Sequence, residues 1–172
     1  YLKGHLSTSP LHLNELFPDG NPYGTAKLAV TLDTHRPANG SFSGNIKANI
    51  DEFESKGYKY ENIHLSGNFR KNGFNGMLDI DDPNGKLYAE GLFLHEGKNS
   101  MFNFTSRLEH FHPDSLHLTN KYEAPDISCT LNADFTGNNI DNLEGSITLD
   151  SLSFKTKPDS FFLKKFKVEA TG

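Results

Sequence analysis

The seven residues DIDDPNG, at positions 79–85, bring three carboxylates and one side-chain amide close together. Oxygen ligands at this density could bind Ca²⁺, as they do in the EF-hand loop. That loop requires glycine at its sixth position, where this segment has Asn84, and it requires flanking helices that the surrounding pattern does not predict. Pro83 and Asn84 instead suit the two central positions of a β-turn. We therefore predict a hairpin turn, with Asp79 and Asp81 on the polar face of the preceding strand.

Three histidines, His110, His112 and His117, form a second group that could bind a metal ion. Two histidines at i and i+2 on a strand face the same side, and a third could complete a zinc site. However, Pro113 interrupts the strand directly after the pair, and no nearby carboxylate is placed to act as a general base. A solvated loop is the favoured interpretation, and we predict no metal site.

Arrangements for covalent catalysis are missing from the sequence. The segment GSFSG at 40–44 has Phe42 at the position where the nucleophile elbow G-x-S-x-G has its serine. No glycine-rich phosphate loop leads into a predicted helix. The acidic residues are scattered on polar positions, which is typical of the solvated face of a sheet. We expect no enzymatic activity, no catalytic residue and no cofactor.

The composition excludes some classes of partner. The chain of 172 residues has a formal net charge of −5 and no block of basic residues, which argues against nucleic acid as a partner. Cys129 is the only cysteine, so no intrachain disulfide can form. No run approaches the ~20 consecutive apolar residues that a membrane-spanning helix needs. Because the sequence starts at Tyr1 and stops at Gly172 with neither an initiator Met nor a signal peptide, we expect one β-repeat segment (1–172) of a longer chain.

Apolar residues recur at every second position in run after run, which indicates strands with one apolar face. Asn-Gly pairs and prolines separate these runs, as turns between strands do. The sequence therefore predicts an all-β fold: a curved antiparallel meander of about nine or ten strands, with little or no helix. The only helix candidate is a short turn at 113–116. The apolar positions predicted to line one face are Phe42, Ile46, Ile50, Ile63, Leu65, Phe69, Phe74, Leu78, Ile80, Phe102, Phe104, Ile127, Leu131, Phe135, Leu143, Ile147 and Leu149.

The glycines inside these runs follow the same alternation as the apolar residues. A glycine on the inner face removes a side chain where a bending strand would crowd itself, so such glycines favour curvature. The simpler explanation is that glycine is tolerated inside as a small residue. We predict strands that curl around a shared apolar face, with these glycines on its inner side: Gly44, Gly67, Gly76, Gly91, Gly137 and Gly145.

Four segments resemble the recurring units of the TamB and wider AsmA-like family of envelope proteins. DFTGNNIDNLEGSITLDSLSF (134–154) is similar to the repeat in which a glycine ends one strand and a hydrophobic-x-x-hydrophobic-x-Gly run leads into the next. RLEHFHPDSLHLTN (107–120) is similar to that family's hydrophobic-x-Pro-x-x-Leu element. The other two are GNIKANIDEFESKGYKYENIHLSGNF (44–69) and GMLDIDDPNGKLYAEG (76–91). The resemblance covers roughly residues 40–155.

The resemblance implies a fold, a function and a location. Such proteins curl their strands into a U-shaped trough, the β-taco, whose interior is apolar. They cross the periplasm of Gram-negative bacteria from an inner-membrane anchor, and they are implicated in phospholipid transport and outer-membrane assembly. The implied partners are phospholipid acyl chains, neighbouring repeats of the parent chain and an outer-membrane protein. The resemblance implies no catalytic residue.

The alternation by itself leaves other functions open. A filled core and an open groove both bury one face, so a structural or interaction module with a dry interior, such as a β-sandwich, shows the same pattern. A closed barrel that binds a discrete apolar ligand is a third interpretation. The leading prediction is a lipid conduit that shields acyl chains in a hydrophobic groove.

Overall fold

The computed structural model describes residues 1–16, 22–36, 40–96, 99–137 and 144–171. These residues form one open antiparallel sheet, which confirms the all-β prediction. The strands are β1 (Leu2–Ser7), β2 (Leu11–His12), β3 (Tyr23–His35), β4 (Ser43–Ser55), β5 (Tyr58–Arg70), β6 (Gly73–Asp82), β7 (Gly85–Glu96), β8 (Asn99–Phe111), β9 (Asp126–Thr136), β10 (Glu144–Lys155) and β11 (Ser160–Ala170).

The strands follow one another across the sheet in the order β1-β3-β4-β5-β6-β7-β8-β9-β10-β11, and β2 pairs with β3. The sheet does not close, so the barrel interpretation is wrong and β1 and β11 are its two edges. The described residues form eleven strands rather than nine or ten. The two-residue β2 is too short to show an alternating pattern, which explains part of the difference.

The helix candidate at 113–116 is a series of turns rather than a helix. The Leu116 N–H donates to the His112 carbonyl at 3.0 Å, which closes one helical turn. His117 then adopts a positive φ of 57°, a conformation that ends a helix. The helix found among the described residues is the four-residue α1 (Leu13–Leu16). No helix in the described ranges is long and apolar enough to cross a membrane.

The two faces of the sheet differ sharply in polarity. Residues paired across an antiparallel sheet lie on the same face, and successive residues of a strand lie on opposite faces. One face carries ladders of polar side chains, such as Asn68 Nδ2 donating to Asn45 Oδ1 at 2.9 Å and the Thr105 hydroxyl donating to Asn132 Oδ1 at 2.9 Å. The opposite face carries the apolar residues. We call the first the outer face and the second the inner face.

A row of glycines crosses the middle of the inner face. Gly67 on β5 pairs with Gly76 on β6, and Gly76 pairs with Gly91 on β7. A Cβ atom added to Gly67 would lie 2.7 Å from the Gly76 Cα, and one added to Gly91 would lie 2.5 Å from the Phe104 Cα. Neighbouring backbones therefore approach more closely on this side than a side chain permits, since a real Cβ atom essentially never lies within 3.0 Å of such an atom. The sheet bends toward its inner face along this row, and the result is an open trough.

The single-layer architecture leaves a large surface exposed. The accessible surface is 11355 Å², whereas a compact monomer of 19.2 kDa exposes about 8400 Å². Because no second layer packs on the sheet within the described ranges, the apolar face retains contact with solvent over much of its extent. The fold therefore leaves the inner face partly exposed rather than enclosed as the interior of a domain.

Candidate functional site: an apolar trough

The inner face consists of four apolar rows that run across the strands. Each row is a set of residues paired from strand to strand. The phenylalanine row is Thr34, Gly44, Phe69, Phe74, Phe93, Phe102, Phe135 and Gly145, and the glycine row is Leu32, Ile46, Gly67, Gly76, Gly91, Phe104, Ala133 and Ile147. The leucine row is Val30, Ala48, Leu65, Leu78, Ala89, Ser106, Leu131 and Leu149, and the isoleucine row is Leu28, Ile50, Ile63, Ile80, Leu87, Leu108 and Cys129.

These rows contain most of the residues predicted to line the trough. Fourteen of the seventeen lie in the four rows, and Ile127 continues them beyond Cys129, opposite Phe111. Phe42 precedes β4, and its ring lies 5.7 Å from that of Phe69. Leu143 lies outside the described residues. Whether these side chains contact lipid stays a prediction.

Three side chains of the phenylalanine row, Phe93, Phe102 and Phe135, form a strip of contacting aromatic rings. The centroids of Phe93 and Phe102 are 4.9 Å apart, and those of Phe102 and Phe135 are 4.8 Å apart in a stacked arrangement. These separations fall in the range where aromatic pairs attract each other beyond simple burial. Phe93 was absent from the predicted set because its strand is apolar on both faces, which hides the alternation. Phe93 lies two residues after Gly91 and therefore on the same face, and this spacing could have identified it.

The glycine row forms a shallow apolar depression beside that strip. A cavity of about 190 Å³ lies there, lined among others by Leu65, Leu78, Phe93 and Phe104. The ring of Phe74 extends over two of the glycines, and a Cβ at Gly76 would lie 2.6 Å from its Cζ atom. Glycine therefore both lets the backbone bend and leaves room for this ring.

Large apolar side chains in the trough are only partly buried. In the described ranges the buried apolar side chains of the core are Ala26, Ala48, Leu116 and Ala133, and none of the phenylalanines is among them. A dry interior would cover its largest residues most completely. Cys129 lies on this face, where burial raises the pKa of its thiol. The trough is thus apolar but incompletely covered by the chain itself.

The segment DIDDPNG forms the β6–β7 hairpin, as predicted. Asp82 pairs with Gly85, so Pro83 and Asn84 form the two-residue loop. The Asp81 carboxylate lies 2.7 Å from Lys86 Nζ on the next strand, where both side chains are exposed. Asp79 pairs with His64 and Tyr88 on the outer face. The prediction for these two aspartates is confirmed.

Asp82 has a structural role that sequence reasoning missed. It is 3% exposed. Its carboxylate accepts hydrogen bonds from the Tyr58 hydroxyl at 2.5 Å, from the Asn84 N–H at 2.8 Å and from the Glu61 N–H at 3.0 Å. Burial, followed by the hydrogen bond to Asp82, raises the pKa of Tyr58 to about 12. The available signal was Asp at the first position of a β-turn, where its side chain commonly accepts from the N–H two residues on.

The loop 112–125 links the turns at the same ends of the strands. The Tyr60 hydroxyl donates to the Leu116 carbonyl at 2.9 Å, and Leu116 itself is 3% exposed. The His112 N–H donates to the Asn84 carbonyl at 2.9 Å, and the Lys157 N–H donates to the Glu123 carbonyl at 3.0 Å. This loop therefore joins three hairpins, those at 56–57, 83–84 and 156–159. We call this side of the trough the linked rim.

The three histidines of this loop region have separate partners. His110 Nδ1 lies 3.4 Å from an Asp126 carboxylate oxygen, and its side chain is exposed. His112 Nδ1 lies 3.0 Å from the Pro125 carbonyl, and His117 Nδ1 lies 3.0 Å from the Lys56 carbonyl. Across the described ranges no group of three His, Cys, Asp or Glu residues could hold a metal ion.

Comparison with protein-family models, with curated proteins and with solved structures gives no match to this chain.

Proposed function

We propose that this chain is a segment of a lipid conduit that shields acyl chains along its apolar trough. The observation that carries the proposal is the set of four apolar rows, which cross β3 to β9 without interruption and remain partly exposed. The outer face is polar, so only one side of the sheet suits an apolar ligand. The proposal assigns no catalytic step to the chain.

The energetics of the trough suit a ligand that moves. Each methylene transferred from water to an apolar surface contributes about 0.8 kcal/mol, so a long acyl chain gains affinity without any directional contact. Polar side chains in the rows are few: the Thr34 hydroxyl is occupied by the Leu2 carbonyl at 3.2 Å, and Ser106 is half-buried. An acyl chain could therefore move from strand to strand while exchanging equivalent contacts.

The resemblance to AsmA-like proteins supports the wider setting of this proposal. In that setting the chain lies in the periplasm of a Gram-negative bacterium, its parent protein is anchored in the inner membrane, and an outer-membrane protein is a partner. The unpaired edges, β1 and β11, would pair with neighbouring repeats through their free backbone groups. Exposed Phe162, Phe166 and Val168 on β11 would then be covered.

Site-specific photo-crosslinking tests the proposal in cell envelopes. A photoreactive residue at position 46, 65 or 78 would replace Ile46, Leu65 or Leu78 in the trough, and we expect each to label phospholipid. The matched controls are Lys47, Ser66 and Met77, the next residues along, which form a row on the outer face. These should label little lipid.

Labelling of protein alone from the three inner positions would contradict the proposal and favour a dry interaction module. Equal lipid labelling from both faces would show membrane proximity rather than binding in the trough. Native mass spectrometry of the purified chain provides an independent measurement of bound phospholipid.

A further inference from the structure

Three cations lie together at the rim opposite the linked rim. Arg36, Arg70 and Lys71 line one cavity of about 550 Å³, together with Phe42 and Phe69. We call this group the basic rim. It was not among the predicted sites, because its members come from different strand ends and form no basic run in the sequence.

The strand pairing explains why these residues meet. His35 at the end of β3 pairs with Ser43 at the start of β4, and Ser43 pairs with Arg70 at the end of β5. Arg36 and Lys71 are the next residues after those strands. Adjacent strand ends therefore bring the three charges to one rim of the trough, where Arg70 occupies an outer-face position next to inner-face Phe69.

Within the described ranges, no other side chain neutralises the charges of the basic rim. In the described part of the chain, no side-chain hydrogen bond or ion pair involves Arg36, Arg70 or Lys71. Lys27 and Lys86, by contrast, lie 2.9 Å and 2.7 Å from carboxylates. Asp33 lines an adjoining cavity with Arg70, but its carboxylate lies 3.8 Å from Lys3 Nζ.

The basic rim adjoins the end of the phenylalanine row. Phe42 is 45% exposed, and its ring lies 5.7 Å from that of Phe69, a member of the phenylalanine row. Apolar rings and unpaired cations thus share the lining of one cavity. A ligand that satisfies both needs an anionic group joined to a hydrocarbon chain.

We propose that the basic rim binds the phosphate of a phospholipid whose acyl chains lie on the phenylalanine row. Arginine guanidinium groups bind phosphate through two parallel hydrogen bonds, and lysine adds a point charge. The chain has a net charge of −5, so this patch is a local feature and not the result of general basicity. The inference rests on the proposed lipid-binding function and adds the headgroup chemistry.

Calorimetric titration of the purified chain with soluble ligands tests the inference. The probes are dihexanoyl phosphatidic acid below its micelle concentration, dihexanoylglycerol as the same hydrocarbon without phosphate, and inorganic phosphate. The test variant is the triple substitution Arg36→Gln, Arg70→Gln and Lys71→Gln. The control removes three other cations that have no carboxylate partner within the described ranges, through Lys47→Gln, Lys121→Gln and Lys155→Gln, which leaves the net charge of the two variants equal.

We expect the test variant to bind phosphatidic acid about tenfold more weakly, a change of about 1.4 kcal/mol, and to retain its affinity for dihexanoylglycerol. The control variant should bind both amphiphiles like the unmodified chain. Raising the salt concentration should weaken phosphatidic acid binding in the unmodified chain more than in the test variant.

Three results would overturn the inference, and they separate it from the wider proposal. If both amphiphiles bind but the test and control variants respond alike, the headgroup site is wrong while the trough remains a lipid site. If inorganic phosphate binds as tightly as phosphatidic acid, the lipid assignment of the cations is wrong. If neither amphiphile binds, both the headgroup site and the proposed function are wrong.

Discussion

The two rims of the trough are built from the same strands but are held in different ways. At the linked rim, a buried carboxylate and the loop 112–125 connect hairpins that are far apart in the sequence, with hydrogen bonds such as that from Tyr60 to Leu116. At the basic rim, backbone hydrogen bonds join neighbouring strands, such as the His95 N–H donating to the Asn72 carbonyl at 2.6 Å. Arg36, Arg70 and Lys71 there have no partner within the described ranges.

This difference separates stability from binding within one sheet. A single-layer sheet gains little from a packed core, so polar contacts between hairpins hold the strand ends of the linked rim in place. Within the described ranges, Arg36, Arg70 and Lys71 make no such contacts, so their side chains are available to a ligand. Substitutions at the linked rim should therefore lower stability, whereas substitutions at the basic rim should change binding.

The largest effect is expected from Asp82→Ala. This change removes the acceptor of three hydrogen bonds and leaves the Tyr58 hydroxyl and two backbone N–H groups without their partner. Because hydrogen bonds to charged groups contribute more than neutral ones and buried donors are costly to leave unsatisfied, we expect a loss of about 3 kcal/mol in the free energy of unfolding. Urea denaturation monitored by circular dichroism measures it.

Two control substitutions sharpen the comparison. Asp81→Ala removes the adjacent exposed carboxylate, whose ion pair with Lys86 should contribute less than about 1 kcal/mol. Arg70→Gln at the basic rim should change stability by no more than about 0.5 kcal/mol. If Arg70→Gln lowers the free energy of unfolding as much as Asp82→Ala does, the two rims do not differ in their contribution to stability.

The strands and their inner faces could be predicted from sequence because alternation is a local property. Each of Leu65, Leu78 and Leu131 occupies a position fixed by period two within its own run, so no knowledge of the neighbouring strands is needed. The glycine row could be predicted only in part. The parity of Gly67, Gly76 and Gly91 was visible in the sequence, but their direct pairing across three strands depends on register and was not.

The two rims could not be predicted, because their contacts join residues that are distant in sequence. In the sequence, only its position at the start of the turn distinguishes Asp82 from Asp79 and Asp81, and its burial depends on the approach of Tyr58 and Glu61 from β5. Nothing in the sequence distinguishes Arg36 and Arg70 from other surface arginines, because only strand pairing places them beside one cavity. Local patterns predict elements and faces, whereas ion binding and buried polar contacts arise from the assembled sheet.

An intermediate effect is expected from Leu116→Ala in the loop 112–125. Leu116 is 3% exposed, so truncation removes buried apolar contacts at the linked rim. We expect a loss of about 2 kcal/mol in the free energy of unfolding, at the low end for buried leucines because a surface loop can relax into the space. Leu118→Ala in the same loop is the matched control, since Leu118 is 50% exposed and should change stability little. Equal losses would mean that the loop contributes no specific contact.

The smallest effect concerns the pH dependence of the linked rim. Tyr58→Phe removes one hydrogen bond to Asp82 and should lower the free energy of unfolding by about 1 kcal/mol at neutral pH. The pKa of Tyr58 is about 12 in the folded chain, against about 10 in the unfolded chain. Its contribution should therefore be complete below pH 10 and should disappear as the pH rises toward 12, because the unfolded chain loses the tyrosine proton first.

Urea denaturation of both proteins across this pH range measures the contribution as a difference, which cancels the titration of the other tyrosines and lysines. The stability difference between the unmodified chain and Tyr58→Phe should shrink above pH 10. In spectrophotometric titration, the unmodified chain should show one more tyrosine that ionises near pH 12 than the Tyr58→Phe variant does. A difference that stays constant to pH 12 would mean that Tyr58 ionises normally, and that the Asp82 carboxylate is held by the backbone N–H groups of Glu61 and Asn84 alone.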